Sequence, residues 1–192
     1  MSSGILLLAV LAVPVLIVVV VIGWAVAAYN RLVRLRTQVQ ASWAQVDVQL
    51  KRRRSLIPNL VETVKGYAAH ERGTLEAVVA ARSAAAGSAG RGPQEQAGAE
   101  SVLTQALGRL FALAEAYPQL KANENFLALQ SELSGTEDRI AYARQFYNSA
   151  VQSLNAAVQS VPTNVIASIG GFHIEPYFEA AGDERADVSV RF

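Results

Sequence analysis

The sequence predicts an all-α protein, with an N-terminal transmembrane helix followed by a bundle of long helices. Three observations lead there. Residues 5–28 carry no charge. Behind them, apolar side chains recur in heptads over two long stretches. Glycine and proline then divide the chain at 86–93, at Pro118 and at Pro162.

With 192 residues the chain amounts to one domain plus an anchor. The part behind the anchor is large enough to bury a core without covalent staples. Hydrophobic residues make up 52% and charged residues only 17%, and the excess is concentrated at the N-terminus. There is no cysteine, which excludes disulfides, thiolate metal sites and cysteine nucleophiles. The two histidines, His70 and His173, lie far apart, against a histidine metal centre. Net charge is +1, whereas a nucleic-acid footprint needs a net basic domain. The charge is uneven: 31–72 holds nine basic and three acidic residues, and 94–150 holds four basic and seven acidic. A basic first helix against acidic later ones suits packing within one bundle.

Residues 5–28 give about 36 Å of helix, enough for a ~30 Å hydrocarbon core with some tilt. Pro14 is tolerated in such a segment. Ala25-Val26-Ala27 resembles a signal-peptide cleavage site. However, residues 1–4 supply no basic n-region, and the run exceeds the ~7–15 residues of an h-region. A retained anchor is expected. Trp24 and Tyr29 stand where amphipathic rings prefer the interface, and Arg31, Arg34 and Arg36 follow at once. These five residues are the candidate membrane-interface set. The positive-inside rule puts the C-terminal domain in the cytoplasm and the N-terminus outside.

The bundle is expected over 29–161. Its first helix, about 29–85, shows one heptad row at Leu32, Val39, Val46, Arg53, Leu60 and Tyr67. A second row runs Arg36, Trp43, Leu50, Ile57 and Val64. The seam keeps register across Pro58, which predicts a kink inside one helix. Lys51, Arg52 and Arg54 fall on the opposite face. Arg53 is a charge on the seam, so it must be paired or stretched to the rim. Glu124 and Glu132 are candidate partners. After the loop 86–93 (AGSAGRGP), a second helix of about 94–117 carries Leu103, Leu107, Leu110, Ala114 and Tyr117 on one face and stops at Pro118. A third, about 123–160, has Asn123 or Asn125 as N-cap. Its large row is Phe126, Leu133, Ile140, Tyr147, Leu154 and Val161. Its mostly small row is Leu129, Thr136, Ala143, Ala150 and Ala157. The tail, 162–192, has no sustained helical period and is expected to pack on the bundle.

Several segments resemble the LemA family. They are Tyr29-Asn30-Arg31-Leu32-Val33; Trp43-Ala44-Gln45-Val46-Asp47-Val48-Gln49-Leu50-Lys51-Arg52-Arg53; Leu56-Ile57-Pro58-Asn59-Leu60-Val61-Glu62-Thr63-Val64-Lys65-Gly66-Tyr67; and Tyr117-Pro118-Gln119-Leu120-Lys121-Ala122-Asn123-Glu124-Asn125-Phe126. Tyr147-Asn148, Val161-Pro162-Thr163-Asn164, Gly171-Phe172 and Tyr177-Phe178-Glu179 fit the same pattern. The resemblance covers nearly the whole chain. It implies a bacterial, membrane-anchored, antiparallel helical bundle, and it implies no reaction.

Some residues invite sharper readings. His70-Glu71-Arg72-Gly73-Thr74 is similar to the phosphoacceptor core of sensor histidine kinases, where a nucleophilic histidine works beside an acid. No ATP-binding domain follows it, and a polar helix face is the plainer reading. Position 74 is threonine, so the zinc-protease motif fails. Lys51-Arg52-Arg53-Arg54 begins roughly 35 Å beyond the span, past a ~8 Å Debye length from headgroups. Glu62, Glu71 and Glu76 lack the Glu-x-x-His partner of a di-metal bundle site. Asn59, Asn148 and Asn155 suit buried amides that fix helix register. No catalytic, metal or cofactor site is predicted. The expected protein is a membrane-anchored, non-enzymatic scaffold or interaction module. Its candidate partners are the lipid bilayer, unidentified proteins and further copies of itself. A signalling relay through His70 is the alternative.

Overall fold

The computed structural model describes residues 2–179, with side chains from residue 12 onward. The last part of the expected tail, 180–192, therefore lies outside the described residues. Among the described residues six helices follow in order: α1 Ser2–Lys65, α2 Arg72–Gly87, α3 Pro93–Ala114, α4 Pro118–Lys121, α5 Glu124–Gln159 and α6 Thr163–Ile169. No strand occurs among the described residues. The fold is all-α.

Several boundaries differ from expectation. Helix α1 begins at Ser2, so residues 2–4 are part of the helix rather than a separate segment. The predicted 29–85 helix is two helices. It ends at Lys65, turns through 66–71 and returns as α2. Pro58 is accommodated inside α1, and the break falls at Gly66 instead. The apolar register misled for a physical reason. The turn makes helix-like hydrogen bonds (Ala68 N–H to Val64 O, 2.9 Å; Glu71 N–H to Ala68 O, 3.1 Å), so it adds about the phase that a helix would. Ala68 of the turn is buried, as are Leu75, Val78, Ala81 and Ala85, but these four lie on a returning helix.

The chain forms two compact units. The larger comprises Ser42–Asn148 and the segment from Pro176. Side-chain pairs fix its helix directions. Trp43 stacks on Tyr147, Arg53 meets Glu137, and Tyr67 meets Asn123, so α5 descends as α1 ascends. Gln96 meets Asp47, Glu100 meets Arg53, and Tyr117 meets Glu71, so α3 ascends with α1. Helix α2 comes back down from the turn, bringing Arg82 and Ala85 to Arg54. The result is an up-down-up-down bundle. Ile57, Leu60 and Val64 of α1 share one core with Val78 and Ala85 of α2, Leu103 and Leu110 of α3, and Phe126 and Leu133 of α5. Helix α3 ends at Ala114, short of the expected 117, and Pro118 instead opens the single turn of α4, which buries Leu120. Asn123 caps α5, its Oδ1 accepting the Phe126 N–H at 3.0 Å. In the loop 86–93, Gly90 and Gly92 take φ of 80° and 103°, which only glycine adopts cheaply.

The smaller unit comprises Met1–Ala41 and Ser149–Glu175. Its core holds Leu32, Val151, Leu154, Ala157, Ala167 and Phe172. Helix α6 closes in a Schellman turn. Gly171 has φ of 66°, Phe172 N–H bonds to Ala167 O at 2.9 Å and Gly171 N–H to Ser168 O at 3.4 Å. Phe172 thereby reaches Tyr29, edge to face, with centroids 5.5 Å apart. The Asn155 amide clasps Glu175, donating to its carbonyl at 2.9 Å and accepting its N–H at 2.8 Å. The third-helix row ends earlier than expected, because Val161 lies beyond α5 and is exposed.

Candidate functional site

The chemically distinctive part of the larger unit is a buried ion cluster. Arg53 is 2% exposed. Its Nη1 donates to Glu137 Oε1 at 2.7 Å and Thr104 Oγ1 at 3.0 Å. Its Nη2 donates to the Glu100 carboxylate and, at 3.2 Å, to the Glu100 carbonyl. Only Nε is buried without a partner. Arg54, expected on the solvated face, is buried as well. Its Nη1 donates to Glu100 Oε1 and to the Ala85 carbonyl, each at 2.9 Å. That carbonyl belongs to the last turn of α2, where a cation also complements the helix dipole. Glu100 therefore bridges two consecutive arginines, one on each carboxylate oxygen. Burial opposes the Arg53 charge, but the charges of Glu137 and Glu100 and their hydrogen bonds outweigh it. They raise the guanidinium above its ordinary value.

The expected partners of Arg53 are corrected here. Glu132 binds Arg52 at the surface, and Glu124 is the first, exposed residue of α5. The partners of Arg53 are Glu100 and Glu137, which stand at the matching levels of α3 and α5. A cleft of about 440 Å³ opens beside the cluster, with Thr104, Glu137, Ile140, Arg144 and Phe178 among its walls. The cluster ties helices together: Arg53 reaches from α1 to α3 and α5, and Arg54 from α1 to α2 and α3.

A second arrangement holds the C-terminal segment. Asn148 clasps Phe178, donating to its carbonyl at 3.2 Å and accepting its N–H at 2.9 Å. Tyr147 donates its hydroxyl to the Pro176 carbonyl at 2.9 Å, and Phe178 packs on Trp43 at 5.5 Å. Asn148 and Asn155 thus hold extended main chain rather than the register of a neighbouring helix. Asn59 is exposed.

The interface candidates Trp24, Tyr29, Arg31, Arg34 and Arg36 are all exposed on α1. Ahead of them, α1 reaches a mean hydropathy of 2.5 and is long and apolar enough to cross a membrane. His70 stands exposed in the turn between α1 and α2, not on a helix face. Glu71 accepts the Tyr117 hydroxyl at 3.2 Å. Burial, together with the hydrogen bond to Glu71 and its charge, pushes the Tyr117 phenol up. Among the described residues, no group of three or more His, Asp and Glu side chains could hold a metal ion.

The LemA family profile matches residues 42–192, the part of the chain that contains the ion cluster, the turn and the clasped segment. Among curated proteins, Magnetosome protein MamQ 2 of Paramagnetospirillum magneticum is 31% identical over 91% of this chain and 74% of its own length. Magnetosome protein MamQ of Magnetospirillum gryphiswaldense is 31% identical over 90% of this chain and 73% of its own. Protein LemA of Metamycoplasma hominis is 27% identical over 84% and 73%. By the profile match across most of its length, the chain belongs to the LemA family.

Proposed function

We propose that the chain is a bilayer-anchored scaffold, without catalytic activity of its own, whose helical bundle presents surfaces to protein partners. One observation carries this reading. Val13, Leu16, Val19 and Ile22 of α1 are each more than half exposed, so they lie uncovered among the described residues. Apolar surface left in water costs about 25 cal/mol per Å². A bilayer removes that cost along a helix of sufficient length. Arg31, Arg34 and Arg36, exposed directly behind the run, favour the cytoplasmic side for the helical bundle. The names of the relatives are not enzyme names, and the buried charges of the bundle are spent on joining helices.

Membranes washed in alkaline carbonate should retain the protein with its N-terminus intact. Release by the wash, or a mature form beginning after Ala27, would remove the anchor. A reporter fused after Phe192 should behave as cytoplasmic; activity of an exterior-only reporter there refutes the orientation. Crosslinking in intact membranes, followed by purification, should capture protein partners. Recovery of the chain alone would count against a scaffold.

A further inference from the structure

In the smaller unit, Val161 and Ile169 are each 81% exposed, with Val165 and Ile174 also more than half exposed. Val165 and Ile169, four residues apart, lie on one face of α6, and Val161 precedes the helix. The other side of α6 is spoken for, since Ala167 is buried in the core of the unit. The surrounding chain has an unusual chemistry: no Asp, Glu, Lys or Arg occurs between Arg144 and Glu175. Nothing in it carries a permanent charge that would have to leave water. Its position is set by the Schellman turn, which delivers Phe172 onto Tyr29. Tyr29 stands two residues before Arg31, the first charged residue of α1, where an aromatic ring meets headgroups.

We propose that this face is a second membrane contact. Val161, Val165, Ile169 and Ile174 sink into the headgroup–acyl boundary beside the point where α1 emerges. Asn164 and Ser168, both exposed, stay toward the headgroups and water. Arg31 and Arg34, just beyond Tyr29, supply the attraction to anionic lipid that α6 itself lacks. A bilayer fits this face better than a second copy of the chain, because the face is tied by Phe172 to the end of the span. The inference rests on reading α1 as a membrane span.

The absence of cysteine makes single labelling sites clean. The full chain, carrying Ile169→Cys or Val165→Cys with an environment-sensitive fluorophore, would be reconstituted into vesicles of phosphatidylethanolamine and phosphatidylglycerol. Val20→Cys serves as the reference within the span. A nitroxide near the top of the lipid acyl chains should quench the labels at 165 and 169 by a share comparable to that by which a deep nitroxide quenches the label at 20. Circular dichroism of each variant should match that of the parent. Quenching at 20 but not at 165 and 169 overturns the inference and leaves the anchor standing. Blue-shifted emission at 169 without lipid quenching means that protein covers the face, which also overturns it. Loss of quenching at all three sites removes the anchor reading and this inference with it.

Discussion

Arg82 donates its Nε–H to the main-chain carbonyl of Arg54 at 2.8 Å. That carbonyl lies four residues before Pro58, which has no N–H to offer it. The proline opens one rung of the α1 ladder, and a side chain from α2 fills it. An unfilled, partly buried carbonyl costs about 1–3 kcal/mol. Arg82→Leu should lower stability by that amount in the parent chain. It should cost much less in a Pro58→Ala background, where the alanine N–H restores the rung. Thermal melts of the four proteins in detergent measure the coupling. Equal costs of Arg82→Leu in both backgrounds would sink this account.

Glu100 is the shared acceptor of Arg53 and Arg54, so its loss strands two buried cations at once. Glu100→Gln should cost about 3–5 kcal/mol, the range for breaking a buried pair. Arg53→Met should cost less, because Arg54 still holds the carboxylate. Glu137, 42% exposed in its side chain, should matter less still, about 1 kcal/mol or below for Glu137→Gln. The order Glu100, Arg53, Glu137 is the checkable content; a near-neutral Glu100→Gln contradicts it.

Tyr117 gives a pH signature. Its phenol is raised in the fold because burial disfavours the ionised form, the neutral form donates to Glu71, and the ionised form would face the Glu71 charge. The sign follows from linkage: this contribution is complete below the unfolded value of about 10 and is lost as pH rises through the higher folded value. Tyr117→Phe should flatten part of the alkaline fall in melting temperature. A variant whose alkaline profile overlays the parent's would show that Tyr117 does not contribute.

The Asn155 clasp on Glu175 predicts a local effect. Asn155→Leu keeps the branched shape but leaves the Glu175 N–H and C=O without partners. Amide exchange at Glu175 should accelerate, with a loss of about 1–3 kcal/mol in local protection. Exchange at residues of the α2–α3 core should stay unchanged. Unaltered exchange at Glu175 would mean that the clasp does not hold the segment.

The helical rows were legible because burial is periodic. Leu32, Val39 and Val46, and then Phe126, Leu133, Ile140, Tyr147 and Leu154, all lie in cores. The reversal after Lys65 was not legible, because apolar phase alone does not distinguish a helix that continues from one that doubles back through a helix-like turn. Gly66 is the one local signal of the turn. Arg54 was misplaced for a related reason. Periodicity assigned it to the polar face, whereas the orphan carbonyls at the end of α2 and the carboxylate of Glu100 draw it inward. The roles of Asn148 and Asn155 depend on a tail with no period of its own, so nothing local could announce them.

The mutual tie between α1 and α2 bears on the order in which the chain assembles. The contacts of Arg54 with Ala85 and with Arg82 close loops of 31 and 28 residues. The contact of Arg53 with Glu137 closes one of 84. Loop closure becomes costlier by roughly 0.6 kcal/mol with each doubling of length, and contacts must repay that entropy as they form. Closing α1 on α2 through Arg54 therefore costs less loop entropy than closing α1 on α5 through Arg53. Once that hairpin is closed, Arg54 is already tied to α2, and Glu100 docks on a pair of cations of which one is held in place.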